Sequence, residues 1–126
     1  MKEAPKDSDA PRIRLRILLG TDAMLGPGKA DLLDLIRQTG SIAAAGRAMS
    51  MSYKRAWSLV EEMNGAFREP LVDSSRGGAK GGGARLTETG ELVLEQYRKI
   101  EEIATEAGAA RIGLLRSLLR DVADGK

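Results

Sequence analysis

The sequence contains no cysteine and no histidine. Without thiols there are no disulfides and no thiolate metal sites, and without imidazole no Ser-His or Cys-His nucleophile pair can be assembled. Carboxylates remain as hard-cation ligands, but no cluster of acids falls at loop spacing. The expectation is a protein with no metal, no cofactor and no enzymatic activity. Long apolar runs are also missing: none approaches the ~20 residues a membrane span requires, so no membrane partner is expected. The N-terminus, MKEAPKDSDAPR, has charge and proline but no apolar h-region, which argues against a secretory signal and for a cytoplasmic protein. At 126 residues the chain is expected to form one domain with a modest core and a terminal extension.

Acids are scarce in particular places. Net charge is only +2, yet Asp and Glu are absent from Ile36 to Val60, where Arg37, Arg47, Lys54 and Arg55 fall. Arg76, Lys80 and Arg85 occupy a second acid-free run. Basic patches on a near-neutral chain are the footprint of a nucleic-acid binder, or simply solvated faces.

What is present is organised around Thr39 to Tyr53, TGSIAAAGRAMSMSY. Ser41 reads as the N-cap of a short Ala-rich helix in which Ile42, Ala45 and Met49 share a face. The break Met49-Ser50-Met51 follows, and Ser52 caps a further helix running to about Asn64. Ala56, Val60 and Met63 should face the core, while Lys54, Arg55 and Ser58 point away from it. Trp57, on the flank with Tyr53, is either a core anchor or a groove-side contact. Two short helices joined by a tight turn, the second opening with cations, read as a helix-turn-helix.

Flanking segments complete the outline. Residues 1–11 are polar and expected to be disordered. Arg12 to Ile17 alternates strictly, predicting a half-buried strand with arginines outward. After Gly26-Pro27-Gly28 a helix is expected from about Lys29 to Gln38, with Leu32, Leu33 and Ile36 inward and Gly40 as C-cap. Leu71-Val72 and Leu86 bracket a long glycine and cation tip, which reads as a hairpin whose backbone amides and cations suit phosphates. A P-loop is excluded because no glycine is followed by Lys-Ser or Lys-Thr. Thr87 should cap a long last helix. Val93, Tyr97, Ile100, Ala104 and Ala107 recur on it with a period of about 3.5, a seam suited to a partner helix. Leu114, Leu115, Leu118 and Leu119 add an apolar face, and Gly108 and Gly113 allow a bend or break.

These residues resemble the N-terminal DNA-binding domain of ModE-type molybdate-responsive repressors and, more distantly, the helix-turn-helix of LysR-type regulators. The resemblance rests on Gly40-Ser41-Ile42, Ser52-Tyr53-Lys54 with Ala56-Trp57, and Glu62-Met63-Asn64. It continues through Leu71-Val72, Gly77-Gly78, Gly81-Gly82-Gly83-Ala84, Leu86-Thr87 and Gly90. It implies a mainly α fold with a small β-wing: a winged helix-turn-helix over residues 12–107, with a leading strand and a long C-terminal dimerisation helix. Residues 108–126 are a helical extension without an assigned counterpart. Sensors of this family carry C-terminal oxyanion-binding domains, for which a chain ending at Lys126 leaves no room.

The expected function is a homodimeric, sequence-specific regulator of double-stranded DNA. Ser41, Ser52, Tyr53, Lys54, Arg55 and Ser58 would lie at the helix-turn-helix, and Arg76, Lys80 and Arg85 along the flanking backbone. The dimer would form through Val93, Tyr97, Ile100 and Ala104. The alternatives are a dimerisation module that does not bind DNA and an accessory protein responsive to an oxyanion such as molybdate.

Overall fold

Pro27 stands in the first turn of a helix, where its missing N–H removes no intrahelical bond and its fixed φ is already helical. That helix, α1, spans Pro27–Thr39. The computed structural model describes residues 10–75 and 83–120. Before α1 lie two short strands, β1 (Ile17–Gly20) and β2 (Ala23–Leu25). After it come α2 (Ile42–Ala48), α3 (Tyr53–Ala66), β3 (Val72–Ser75), β4 (Gly83–Leu86) and α4 (Glu88–Ser117). The chain divides into two compact units, Arg14–Arg98 and the remainder. Residues 1–9, most of the expected N-terminal tail, lie outside the described residues, as do 121–126 of the expected extension.

In the Arg14–Arg98 unit, each helix boundary is set by a local device. Gly40 ends α1 with φ 73°, a left-handed conformation that glycine adopts without a Cβ clash. Ser41 caps α2 by accepting from the Ala44 amide at 3.0 Å. Ser52 caps α3 by accepting from the Arg55 amide at 3.0 Å. Thr87 caps α4, its Oγ1 accepting from the Gly90 amide at 2.9 Å and donating to the Pro70 carbonyl at 2.7 Å.

The core is apolar throughout. Leu32, Leu33 and Ile36 of α1, Ala56, Val60 and Met63 of α3, and Leu71, Leu94 and Tyr97 are buried together. Fully burying an aliphatic side chain of this size is worth about 1.5–3 kcal/mol. α2 approaches α3 closely, because a Cβ on Gly46 would already lie 3.0 Å from that of Ala56. Between them Ser50 turns the chain with φ 59°, and the Met51 amide donates to the Gly46 carbonyl at 3.0 Å.

Two ties hold the wing, the antiparallel pair β3–β4 with Val72 opposite Leu86 and Ser75 opposite Gly83. At its root the Asn64 side chain of α3 bonds the backbone of β3. Its Oδ1 accepts from the Leu71 and Val72 amides at 2.8 and 3.1 Å, and its Nδ2 donates to the Val72 carbonyl at 3.1 Å. Higher up, the Ala84 amide donates to the Gly40 carbonyl at 2.9 Å, joining β4 to the α1–α2 corner. The wing is therefore fixed to α3 and to the corner between α1 and α2.

Three expectations are corrected. The leading strand begins at Ile17 rather than Arg12. Residues 12–16 alternate between exposed and half-buried but have no ladder partner among the described residues. The ladder that does form is a hairpin, Ile17 opposite Leu25 and Leu18 opposite Met24. Tyr97, expected in a seam between subunits, is 1% exposed in its own core, its hydroxyl donating to the Leu15 carbonyl at 2.6 Å. Val93 likewise packs half-buried against that core. A helical period shows which residues share a face, not what covers it. Finally, α4 continues through Gly108 and Gly113 without a break.

In the second unit, the part of α4 from Lys99 onward carries exposed Ile100, Ile103, Leu114 and Leu115, with Leu118 and Leu119 just past its end. At 100° per residue, Ile100, Ile103, Ala107, Leu114 and Leu118 fall within one narrow face.

Candidate nucleic-acid interface

The first turn of α3 contains no acid and projects Tyr53, Lys54 and Arg55 outward, all exposed. Among the described residues neither Lys54 nor Arg55 has an ion pair or side-chain hydrogen bond. Three other cations of this unit are engaged. Lys29, largely buried, donates to the Met24 carbonyl at 3.1 Å and lies 3.3 Å from Glu62. Arg37 bridges Asp34 at 2.9 Å and Glu91 at 3.0 Å. Arg98 reaches Asp31 at 3.0 Å and Asp34 at 3.6 Å.

These pairs shift protonation. The Glu91 and Asp34 hydrogen bonds raise the Arg37 guanidinium above its ordinary value. For Asp34, partial burial pushes the carboxyl up. Hydrogen bonds from Gln38 and Arg37, with the charges of Arg37 and Arg98, outweigh it, so the group lies below its ordinary value. Arg37, part of the acid-free run of the sequence, thus ties α1 to α4 and is not a free cation.

Lys54 and Arg55 stand against the local rule. The N-terminus of a helix carries partial positive charge, so cations there are disfavoured by a few tenths of a kcal/mol. Two cations at that position, with no paired acid among the described residues, leave their charge exposed.

Around them a continuous surface forms from Tyr53, Lys54, Trp57, Ser58 and Glu61. Tyr53 is 57% exposed and meets Trp57 edge-on, with ring centroids 6.2 Å apart and planes at 81°. Trp57 is half-buried against the core, so it anchors α3 and braces Tyr53 at once. Ser58 lies one turn beyond Lys54, exposed.

A second concave surface joins the wing to the α1–α2 corner and is lined by Gly40, Asp73, Ser74, Ser75, Gly83, Ala84 and Arg85. Arg85 is exposed and only loosely paired with Asp73 at 3.9 Å, directly across the strands. Ser41 adjoins this corner half-buried, its hydroxyl committed to the cap. Arg76 and Lys80 lie outside the described residues.

Sequence reasoning passed over Glu61. Its signal was available: it follows Lys54 by seven residues, two helical turns, and so shares the outward face. Asn64 entered only as part of a motif. Its role as wing anchor depends on a contact eight residues away that no local pattern encodes.

A helix, a tight turn, a serine-capped basic helix and a two-stranded wing bonded to that helix and to the α1–α2 corner define a winged helix-turn-helix domain. No family model matches the chain. In sequence the domain is ModE-like. It is 42% identical over 96 residues to the molybdenum-pterin-binding protein MopB of Rhodobacter capsulatus, covering 76% of this chain and 34% of that one. It is 38% identical over 94 residues to the molybdenum transport protein ModE of Azotobacter vinelandii, covering 73% and 35%. With the DNA-binding transcriptional dual regulator ModE of Escherichia coli K12 it shares 34% over 95 residues, covering 75% and 36%. The chain spans about a third of the length of the curated relatives it matches.

Among solved structures, the CbnR DNA-binding domain in complex with DNA superposes with a TM-score of 0.56 at 20% identity, over 70% of this chain and 95% of that one. The full-length LysR-type regulator LysG of Corynebacterium glutamicum, with bound effector Arg, gives 0.55 at 26% identity, over 75% and 30%. No helix among the described residues is long and apolar enough to cross a membrane.

Proposed function

We propose that the chain is a ModE-type transcriptional regulator that binds double-stranded DNA sequence-specifically as a homodimer. The observation that carries this reading is the exposed Lys54–Arg55 pair at the start of α3, without an ion pair among the described residues and set against the helix dipole. With α3 laid in a major groove, these side chains reach guanine O6 and N7 or phosphate. Tyr53 and Ser58 flank them, and Ser52 opens the helix with its hydroxyl at the same edge. The wing, with Arg85 on β4, follows the adjacent backbone, where backbone contacts fix register. The ModE relatives and the DNA-bound CbnR domain support the same reading.

Two copies would place two recognition helices on a palindromic operator, with half-sites ~34 Å apart or a multiple of it. The copies would join along α4 through Ile100, Ile103, Ala104 and the leucines near its end. Tyr97 is taken up by the core and leaves this seam, while Val93 is half-buried against that core.

The test is selection of bound duplexes from a random pool, with and without molybdate, followed by gel-shift titration of the enriched site. Replacing Lys54 and Arg55 by Ala should weaken specific binding by about 1–3 kcal/mol for each side chain that reads a base. Unchanged affinity in the double variant would remove α3 as the reader. A molybdate-dependent change in affinity would add oxyanion sensing to the function.

A further inference from the structure

We propose that Glu61 selects a cytosine in each half-site. The inference rests on the DNA-binding reading above and sharpens it. Glu61 is exposed on α3, in the surface it shares with Tyr53, Lys54, Trp57 and Ser58. It has no ion pair or side-chain hydrogen bond among the described residues. Its neighbour Glu62 points elsewhere and is paired with Lys29 at 3.3 Å. Two adjacent carboxylates on one helix thus have different fates: one is spent inside the unit, the other stands on the face that meets DNA.

A carboxylate on such a face is repelled by every phosphate it approaches. The groove offers it compensation only from a donor. In the major groove guanine presents N7 and O6 acceptors, thymine presents an O4 acceptor and a methyl group, and adenine sets its N6 amino group beside the N7 acceptor. Cytosine alone presents an amino group, N4–H₂, with no acceptor on its own edge, so it is the base edge that suits an ionised carboxylate. The seven residues from Lys54 to Glu61 span about 10 Å along the helix, or roughly three base-pair steps of ~3.4 Å. Lys54 and Glu61 therefore read opposite ends of one short block. The cation favours guanine or phosphate, and the carboxylate favours cytosine and rejects the other three bases.

The experiment compares duplexes selected by the full chain with those selected by Glu61→Gln and Glu61→Ala. Both replacements are good helix formers at an exposed position, so the fold is retained. The unsubstituted protein should enrich cytosine at one position of each half-site, a mismatch there weakening binding roughly 5- to 100-fold. Glu61→Gln should move the preference at that position to adenine, whose N6 and N7 an amide matches. Glu61→Ala should erase the preference there, leave the rest of the site intact, and tighten binding to unrelated duplex. Identical base preferences in all three proteins would overturn the assignment. No enriched sequence for any of them would instead overturn the DNA-binding reading on which it stands.

Discussion

Gly90 shows how much a single missing atom can decide. A Cβ there would overlap the Leu71 carbonyl oxygen, which is backbone and also accepts from the Thr87 amide at 2.9 Å. The close approach lets α4 start directly on the root of the wing. Gly90→Ala should therefore destabilise the fold by about 3 kcal/mol, read as a shifted urea midpoint. Gly28→Ala provides the contrast. Nothing lies within 4 Å of a Cβ at that helical position, so a gain of about 0.5–1 kcal/mol is expected. The caps Ser41, Ser52 and Gly40 could be read from the sequence, because capping is decided within three residues. The need for glycine at 90 could not, since the clash comes from a residue nineteen positions earlier. The pairing of Arg37 was equally hidden: Glu91 reaches it only after folding brings α4 beside α1.

At the scale of elements, α1 and the start of α4 are held by one charge network of Asp31, Asp34, Arg37, Glu91 and Arg98. The folded Asp34 carboxyl lies below its ordinary value of 3.8, so the unfolded chain binds its proton more readily. The resulting stabilisation is complete above the unfolded value. It is lost as pH falls through the lower, folded one. The side chains are 28% to 49% exposed, so the increment is small and weakens with salt. Urea titrations should show the stability difference between the unsubstituted protein and Asp34→Asn shrinking as pH drops below about 4, and shrinking less in 1 M salt. The elements themselves were mostly legible. α1, α2, α3 and the wing strands announce themselves by caps, period and glycine. The β1–β2 hairpin did not, because the three residues of Ala23–Leu25 are too short for alternation to register. The arginine-spaced segment before it alternates better than the strand does.

At the scale of the whole molecule, what remains is the face of α4 formed by Ile100, Ile103, Ala107, Leu114 and Leu118. Leu114 is 61% exposed and Leu118 72%, and large apolar side chains grouped on one face mark an interaction surface. Placing Lys at Ile103 and Leu114 together would put like charges in a seam between copies while leaving the Arg14–Arg98 core untouched. If α4 pairs with α4, sedimentation should show the unsubstituted protein at twice 13.5 kDa and the double variant at 13.5 kDa. Both should melt alike at low concentration, where mass action no longer favours the dimer. On DNA the consequence is specific. Affinity for a single half-site should not fall, whereas affinity for the palindrome should drop to nearly that of one half-site. The salt slope on the palindrome should fall by about half, as one subunit's phosphate contacts are lost. A protein already monomeric without substitution, yet binding the palindrome with the full slope, would mean that DNA and not α4 brings the copies together.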